Sequence, residues 1–373
     1  MNRLIIVGNG FDLAHGLPTS YKNFLSWYWT TLSSSMVQSH GTYTYQDFFI
    51  KLNIHDGIKF QSLSDLERLL DRPYYERGKH YAYLNDFFLS INRFLKEVNW
   101  VDIEMAYKES LELIFRTNHA RMEDLITDLN KEFEEVRQLF RTYLVEEIDA
   151  KVNSEIYLDS MHRILNSWRP TQNFSNDFFS NPPKHLTHLR DMVNNDLPFH
   201  DLDGKTYILC FNYTNTVNLY ISEHSRTIVN QIHGSYRDNN NPIVFGYGDE
   251  SDELFPELEK ANKNHYLEFT KSSSYLHSIN YTTLMSFIDS DEFFVEVLGH
   301  SMALSDRTLL KGIFENENCK YIFMHYHQRD DNTDDFFDKA INIGRHFTDK
   351  NMLRRKVAPK AFCMPLPQCP KDK

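Results

Sequence analysis

The feature that most constrains this chain is Leu4-Ile5-Ile6-Val7, broken at Gly8-Asn9-Gly10. A continuous apolar run rich in β-branched residues is the mark of a strand buried on both faces. A glycine turn directly after it is how many nucleotide-binding α/β domains begin. Without Cβ atoms, the glycines let backbone N–H groups come close to a phosphate or ribose. The third glycine of G-x-G-x-x-G would fall at Leu13, so the fingerprint is incomplete, and a plain structural turn fits the same residues.

Further strands are expected late in the chain, at Thr206–Phe211, Ile228–Ile232, Ile243–Tyr247, Phe293–Leu298 and Tyr321–His325. Helical segments at Thr214–Ser222, Ser305–Glu315 and Thr333–Arg345 separate several of them. Strands alternating with helices imply a parallel sheet, which the first strand joins.

The intervening chain reads differently. Phe11–Ser20 reads as a loop, and Thr19 or Ser20 caps a helix over Tyr21–Leu32 whose Leu25 and Trp27 face inward. Ser33–Gly57 is polar and broken, with loop and short helical pieces expected. From Leu63 to Trp168 the pattern is helical, with a capping box at Ser64–Glu67 and its clearest stripe over Arg121–Asp149. Ser167–Leu202 is punctuated by prolines, with one short helix near His185–Val193. The fold expected is therefore α/β: a Rossmann-like parallel sheet with a large all-α insertion. The nucleotide-binding domain takes residues 1–20 plus 203–356, the insertion 21–202, and a Pro-rich, extended, peripheral tail 357–373.

With 373 residues, 41% of them hydrophobic, the chain can bury a sizeable core. Its 28 Phe and 21 Tyr fit an aromatic-rich core and interface. A formal charge of −12 argues against non-specific nucleic-acid binding. No apolar run approaches membrane-spanning length, no signal-peptide pattern opens the chain, and the early glycine turn leaves little room for a cleaved leader. Four cysteines without a C-x-x-C pair point away from a disulfide framework or cysteine zinc site. A reduced, cytoplasmic protein without membrane contact or bound metal is the expectation.

In an open parallel sheet, ligands bind beyond the carboxyl ends of the strands. Small, polar or titratable residues follow the expected strands: Gly8-Asn9-Gly10 with Asp12, Asn212-Tyr213-Thr214, His233-Gly234-Ser235 and Gly299-His300-Ser301. His233 fits a general base, and equally a histidine satisfied by a backbone carbonyl. Asn212 fits a ribose or water ligand, or a helix cap. Ser301 and Asp306 fit ribose or phosphate, although Asp306 with Ser305 also fits a cap. His325-Tyr326-His327 and His185…His188 have the look of metal pairs and of ordinary histidines alike.

The order of these motifs carries a resemblance. Gly8-Asn9-Gly10-Phe11-Asp12 through Gly16-Leu17-Pro18 looks like the sirtuin opening G-A-G-I-S-x-x-S-G-I-P. Phe211-Asn212-Tyr213-Thr214 resembles Q-N-I-D, His233-Gly234 matches the catalytic H-G, and Gly299-His300-Ser301-Met302 is similar to G-T-S-L. More closely, the chain resembles the AbiH family of bacterial abortive-infection proteins, through GNGFDLAHGLPTSY, WVDIE at Trp100–Glu104, FNYT, IHG, FGYG and LGHSMALSD. That resemblance implies phage defence and an NAD pocket. It casts Asn212, His233 and Asp12 as catalytic, and Gly8, Asn9, Gly10, Phe11, Thr214, Gly299, His300, Ser301 and Asp306 as nucleotide-binding. There are departures: the cysteine zinc module is missing, Thr214 replaces an aspartate, Asp12 replaces a serine, and the insert is large. Deacylation is thereby disfavoured and NAD hydrolysis to nicotinamide and ADP-ribose favoured. Glu104 fits a stabiliser of positive charge on the ribose, or simply an acid in a helix's first turn beside Asp102. The alternatives are a non-catalytic nucleotide sensor and a nucleic-acid-cleaving toxin. The helical insert suits a homo-oligomer or a phage-encoded trigger as partner.

Overall fold

The computed structural model describes residues 1–37, 43–54, 68, 80–98, 102–117, 120–167, 204–222, 225–248, 250 and 252–370. The chain divides into two compact units. The first is Met1–Pro18, Leu144–Lys260 and Phe269–Lys373; the second is Thr19–Tyr143 and Ala261–Glu268.

The first unit is built on a five-stranded sheet. Its strands are β1 (Asn2–Val7), β5 (Thr206–Cys210), β6 (Ile228–Gln231), β7 (Phe293–Leu298) and β8 (Cys319–Met324). The order is β6-β5-β1-β7-β8 and every pairing is parallel. This is the doubly wound order, with β1 central and the chain reversing direction across the sheet between β1 and β7.

The period-2 alternation of β1 explains its unbroken apolar run. Leu4 and Ile6 join a core with Leu284, Leu310 and Ile313. Ile5 and Val7 join a second core with Phe11, Met161 and Ile164. All four β1 side chains are fully buried, because both sheet faces are covered. The first core takes in helices Asn280–Ile288 and Arg307–Glu315, and the second takes in Asn9–Ala14 and Asp159–Ser167. One polar device crosses the sheet. Arg3 pairs with Glu296 on β7, and Glu296 lies 3.3 Å from His325 after β8. The Arg3 guanidinium also donates to the Leu165 and Ile164 carbonyls at 2.7 and 2.8 Å, satisfying the open end of a helix.

Three expected features of this unit come out differently. Residues 9–14 form a helix rather than loop. Ile243–Tyr247 is not a strand: Val244 N–H bonds the His233 carbonyl, Tyr247 makes only an isolated bridge to Thr270, and the segment folds across the strand ends. The tail is not peripheral. Ala358, Cys363 and Leu366 are buried, the tail bridges Ile322 and Tyr326, and Cys369 N–H reaches the Ala14 carbonyl.

The second unit holds helices Tyr21–Val37, Asp86–Val98, Ile103–Arg116 and Met122–Tyr143. Ser20 caps the first of these, its hydroxyl accepting from Asn23 N–H at 3.1 Å. The unit is not all-α. It carries an antiparallel sheet of β2 (Tyr43–Gln46) and β3 (Ile50–Ile54), where loop and short helical pieces are expected from the sequence, and β4 (Tyr81–Tyr83), where helix is expected. Asp47 makes the β2–β3 turn, its Oδ1 accepting from Phe49 and Ile50 N–H at 2.8 Å each. Aromatic residues fill the core, with Phe49 on Phe88 and Tyr107 on Phe133 at ring separations of 4.7 and 4.2 Å. The long stripe holds as Met122–Tyr143, then loosens into a π turn at Leu144–Ile148. The capping box at 64–67, the helix near 185–193 and His185…His188 lie outside the described residues.

Candidate active site

The carboxyl ends of β1, β5, β6 and β7 carry the site, all within the first unit. The glycine turn packs against the loop after β7. Gly8 N–H bonds the Leu298 carbonyl at 3.1 Å, Gly10 N–H the Gly299 carbonyl at 2.8 Å, and Phe11 N–H the Gly8 carbonyl at 2.8 Å. A Cβ on Gly10 would lie 2.6 Å from the Gly299 oxygen, and one on Gly8 2.6 Å from His300 Cα. These glycines therefore let two backbone loops meet at the reversal point of the sheet, and their N–H groups are engaged there. Asn9 is exposed at the tip, while the Phe11 ring lies in the core against His15 and Tyr220.

Asp12 sits one helical turn on, buried, with its Oδ2 accepting from the Thr214 hydroxyl at 2.6 Å. Thr216 donates in turn to Thr214 at 3.1 Å. Burial pushes the Asp12 carboxyl up to about 6, against the opposing help of Thr214, Thr216 and the neighbouring Asn212 amide. Asn212 is close enough to favour the ionised carboxylate, yet no aligned hydrogen bond joins them. Asp12 Oδ1 and Asn212 Nδ2 are both buried without a hydrogen-bond partner. A buried acceptor and a buried donor, side by side and unsatisfied, suit a hydroxyl or water that donates to one and accepts from the other. Asn212 does not cap the following 3-10 helix, whose first flanking residue is Asn215.

A second cluster gathers on Asp306. Lys271 Nζ lies 2.7 Å and His233 Nε2 3.2 Å from its Oδ1, and His300 Nε2 lies 3.5 Å from its Oδ2. His233 Nε2 is also 3.2 Å from the Tyr275 hydroxyl. Phe211, the residue after β5, meets both imidazoles edge-on, at 4.9 and 4.3 Å. Burial pushes the Asp306 carboxyl up, but Lys271, then His233 and His300, hold it well below the usual carboxylate range. Burial first, then Lys271, lowers His233 to about 4, so it is neutral at physiological pH. The Asp306 side chain makes no cap bond to the helix it precedes. His233 faces a carboxylate and a phenol rather than a backbone carbonyl.

The structure brings Asp12, Asn212 and Thr214 together, and His233, His300 and Asp306 together. Ser301 stands apart: it is exposed, and its carbonyl accepts from Asn342 at 2.9 Å. Glu104 is a buried acid in the first turn of a helix of the second unit, and Asp102 caps that helix. His325 turns to Glu296 and His327 to Gln368. Lys271, Thr216 and Tyr275 are site residues that sequence reading misses. Lys271 has no periodic or motif signal of its own. It is held by the FGYG loop, through its N–H to the Tyr247 carbonyl at 2.8 Å and close packing of Gly248.

Among the described residues, no helix is long and apolar enough to cross a membrane. A family model described as bacteriophage abortive infection AbiH matches residues 4–327. No curated protein matches the chain.

Proposed function

The chain belongs to the AbiH family of bacteriophage abortive-infection proteins, and from that premise we propose that it acts in abortive infection by hydrolysing NAD to nicotinamide and ADP-ribose. The observation that carries this reading is the unsatisfied pair of Asp12 Oδ1 and Asn212 Nδ2 at the carboxyl ends of adjacent strands. A donor–acceptor pair of this kind matches a ribose hydroxyl, and the doubly wound sheet is an architecture that offers nucleotides this edge.

In the proposed reaction the bond between ribose C1′ and the nicotinamide nitrogen breaks. Nicotinamide leaves with the electron pair, and positive charge spreads over the ribose ring, as in other glycosidic cleavages. Asp12, ionised at neutral pH, holds a ribose hydroxyl together with Asn212 and opposes that charge. Water adds to C1′ and its proton passes to His233. Because Asp306 is ionised and can only accept, His233 Nε2 carries a proton and Nδ1 is the basic nitrogen.

The test is incubation of purified protein with NAD, with nicotinamide and ADP-ribose quantified by mass spectrometry. His233→Ala is expected to lose roughly 10²–10⁴-fold in turnover while keeping the fold. Asn212→Ala is expected to weaken both binding and turnover. Parent-rate turnover by His233→Ala, or NAD bound and left intact by the wild type during phage challenge, would contradict the reading.

A further inference from the structure

The cluster on Asp306 contains two imidazoles, His233 and His300, and the geometry gives them different roles. His300 has both ring nitrogens engaged. Its Nδ1 accepts from Met302 N–H at 2.9 Å, and its Nε2 faces Asp306 Oδ2 at 3.5 Å. A nitrogen that accepts from an amide carries no proton, so His300 is fixed as the Nε2–H tautomer with no basic nitrogen left. His233 also turns Nε2 to Asp306, at 3.2 Å, but its Nδ1 is not used in this way. Lys271, fully buried, contacts the same Oδ1 at 2.7 Å and supplies the positive charge that a buried carboxylate needs to stay ionised.

We infer that Lys271 and Asp306 are positioning residues that hold both imidazoles as Nε2–H tautomers, so that His233, and not His300, presents a basic nitrogen to the site. This rests on the reading of His233 as the base, but its geometric content stands apart from any substrate. Asp306 would do for His233 what an orienting carboxylate does in a hydrolase triad, fixing tautomer and ring direction. Lys271 keeps the carboxylate charged while His233 stays neutral. Two glycines hold this pair in place. Gly248 of FGYG packs where a Cβ would lie 3.0 Å from the Ser305 carbonyl and 3.4 Å from the Lys271 side chain, and its own carbonyl accepts from Thr308 N–H at 2.8 Å. Gly234, at φ +75°, has no room for a Cβ beside the Pro242 carbonyl, and so fixes the turn that aims His233.

The experiment is long-range ¹H–¹⁵N NMR on histidine-¹⁵N-labelled protein, which distinguishes the two neutral tautomers directly. In the wild type, His233 is expected as neutral Nε2–H across pH 6–8, and His300 as the same tautomer. In Asp306→Asn, His233 is expected to lose its single tautomer. In Lys271→Met, which removes the cation that keeps Asp306 ionised, it is expected to lose its single tautomer as well. An Nδ1–H tautomer at His233 in the wild type would overturn the inference, and that spectrum needs no variant to fold. Unchanged His233 signals in both folded variants would overturn it equally. In parallel, Asp306→Asn is expected to lower kcat for NAD by about 10²-fold or more with KM little changed. Failure to consume NAD with the expected tautomers would remove the hydrolase reading and leave the positioning inference standing.

Discussion

At the scale of single residues, Asp12 shows a site held at a cost to the fold. A carboxyl raised from 3.8 to about 6 by burial contributes nothing unfavourable well below pH 3.8, where it is protonated in both states. Above pH 6 it is ionised in both, and the penalty is complete, about 3 kcal/mol. Asp12→Asn keeps an acceptor for the Thr214 hydroxyl and removes the buried charge. It is expected to be more stable than the wild type at pH 7, by up to about 3 kcal/mol, and to lose that advantage as the pH falls to about 3. Urea denaturation at the two pH values checks this; equal stability at pH 7 would mean that Asp12 is better solvated than its burial implies. The same variant is expected to lose NAD turnover. Asp12, Asn212 and His233 were legible as candidates because each directly follows a recognisable strand or turn. Lys271 was not, because its place depends on the FGYG loop folding back over the strand ends, a long-range event with no local periodicity.

At the scale of elements, the strands that read most clearly are those buried on both faces, where apolar runs leave little ambiguity: β1, β5, β7 and β8. Ile243–Tyr247 is as apolar but contains Gly246, where a Cβ would lie 2.1 Å from the Phe269 carbonyl oxygen, and it pairs with loops instead of joining the sheet. The β2–β3 hairpin was hidden because its turn depends on the Asp47 side chain and its buried positions lie in a polar stretch. The glycine turn read from its sequence as either a phosphate cradle or a plain structural turn, and in the structure it packs β1 against the β7 loop. Gly299 bears that contact at φ +72°, with a Cβ there only 2.1 Å from Phe11 N. Gly299→Ala is expected to destabilise the protein by at least the ~1–3 kcal/mol of a strained backbone, with the steric clash adding to it. Thermal denaturation measures this; a melting temperature equal to the wild type would show that the loops can part without cost.

At the scale of the whole molecule, a doubly wound parallel sheet forms one unit and helices with a small antiparallel sheet form the other. The sheet was legible as an architecture because strand ends with chemistry-bearing residues recur in order along the chain. The strand order itself was not, since parallel pairing is set by contacts between segments hundreds of residues apart, such as Val7 with Cys210 and Leu298. Family membership places the molecule in bacteriophage abortive infection, and the proposed means is consumption of NAD at the carboxyl ends of β1 and β5. The most direct measurement is cellular NAD and nicotinamide in bacteria carrying the wild type, His233→Ala or Asn212→Ala, before and after phage challenge. NAD falling and nicotinamide rising after challenge with the wild type, and neither with the two folded variants, is the predicted result. NAD that stays level with the wild type while the cells still resist phage would contradict it.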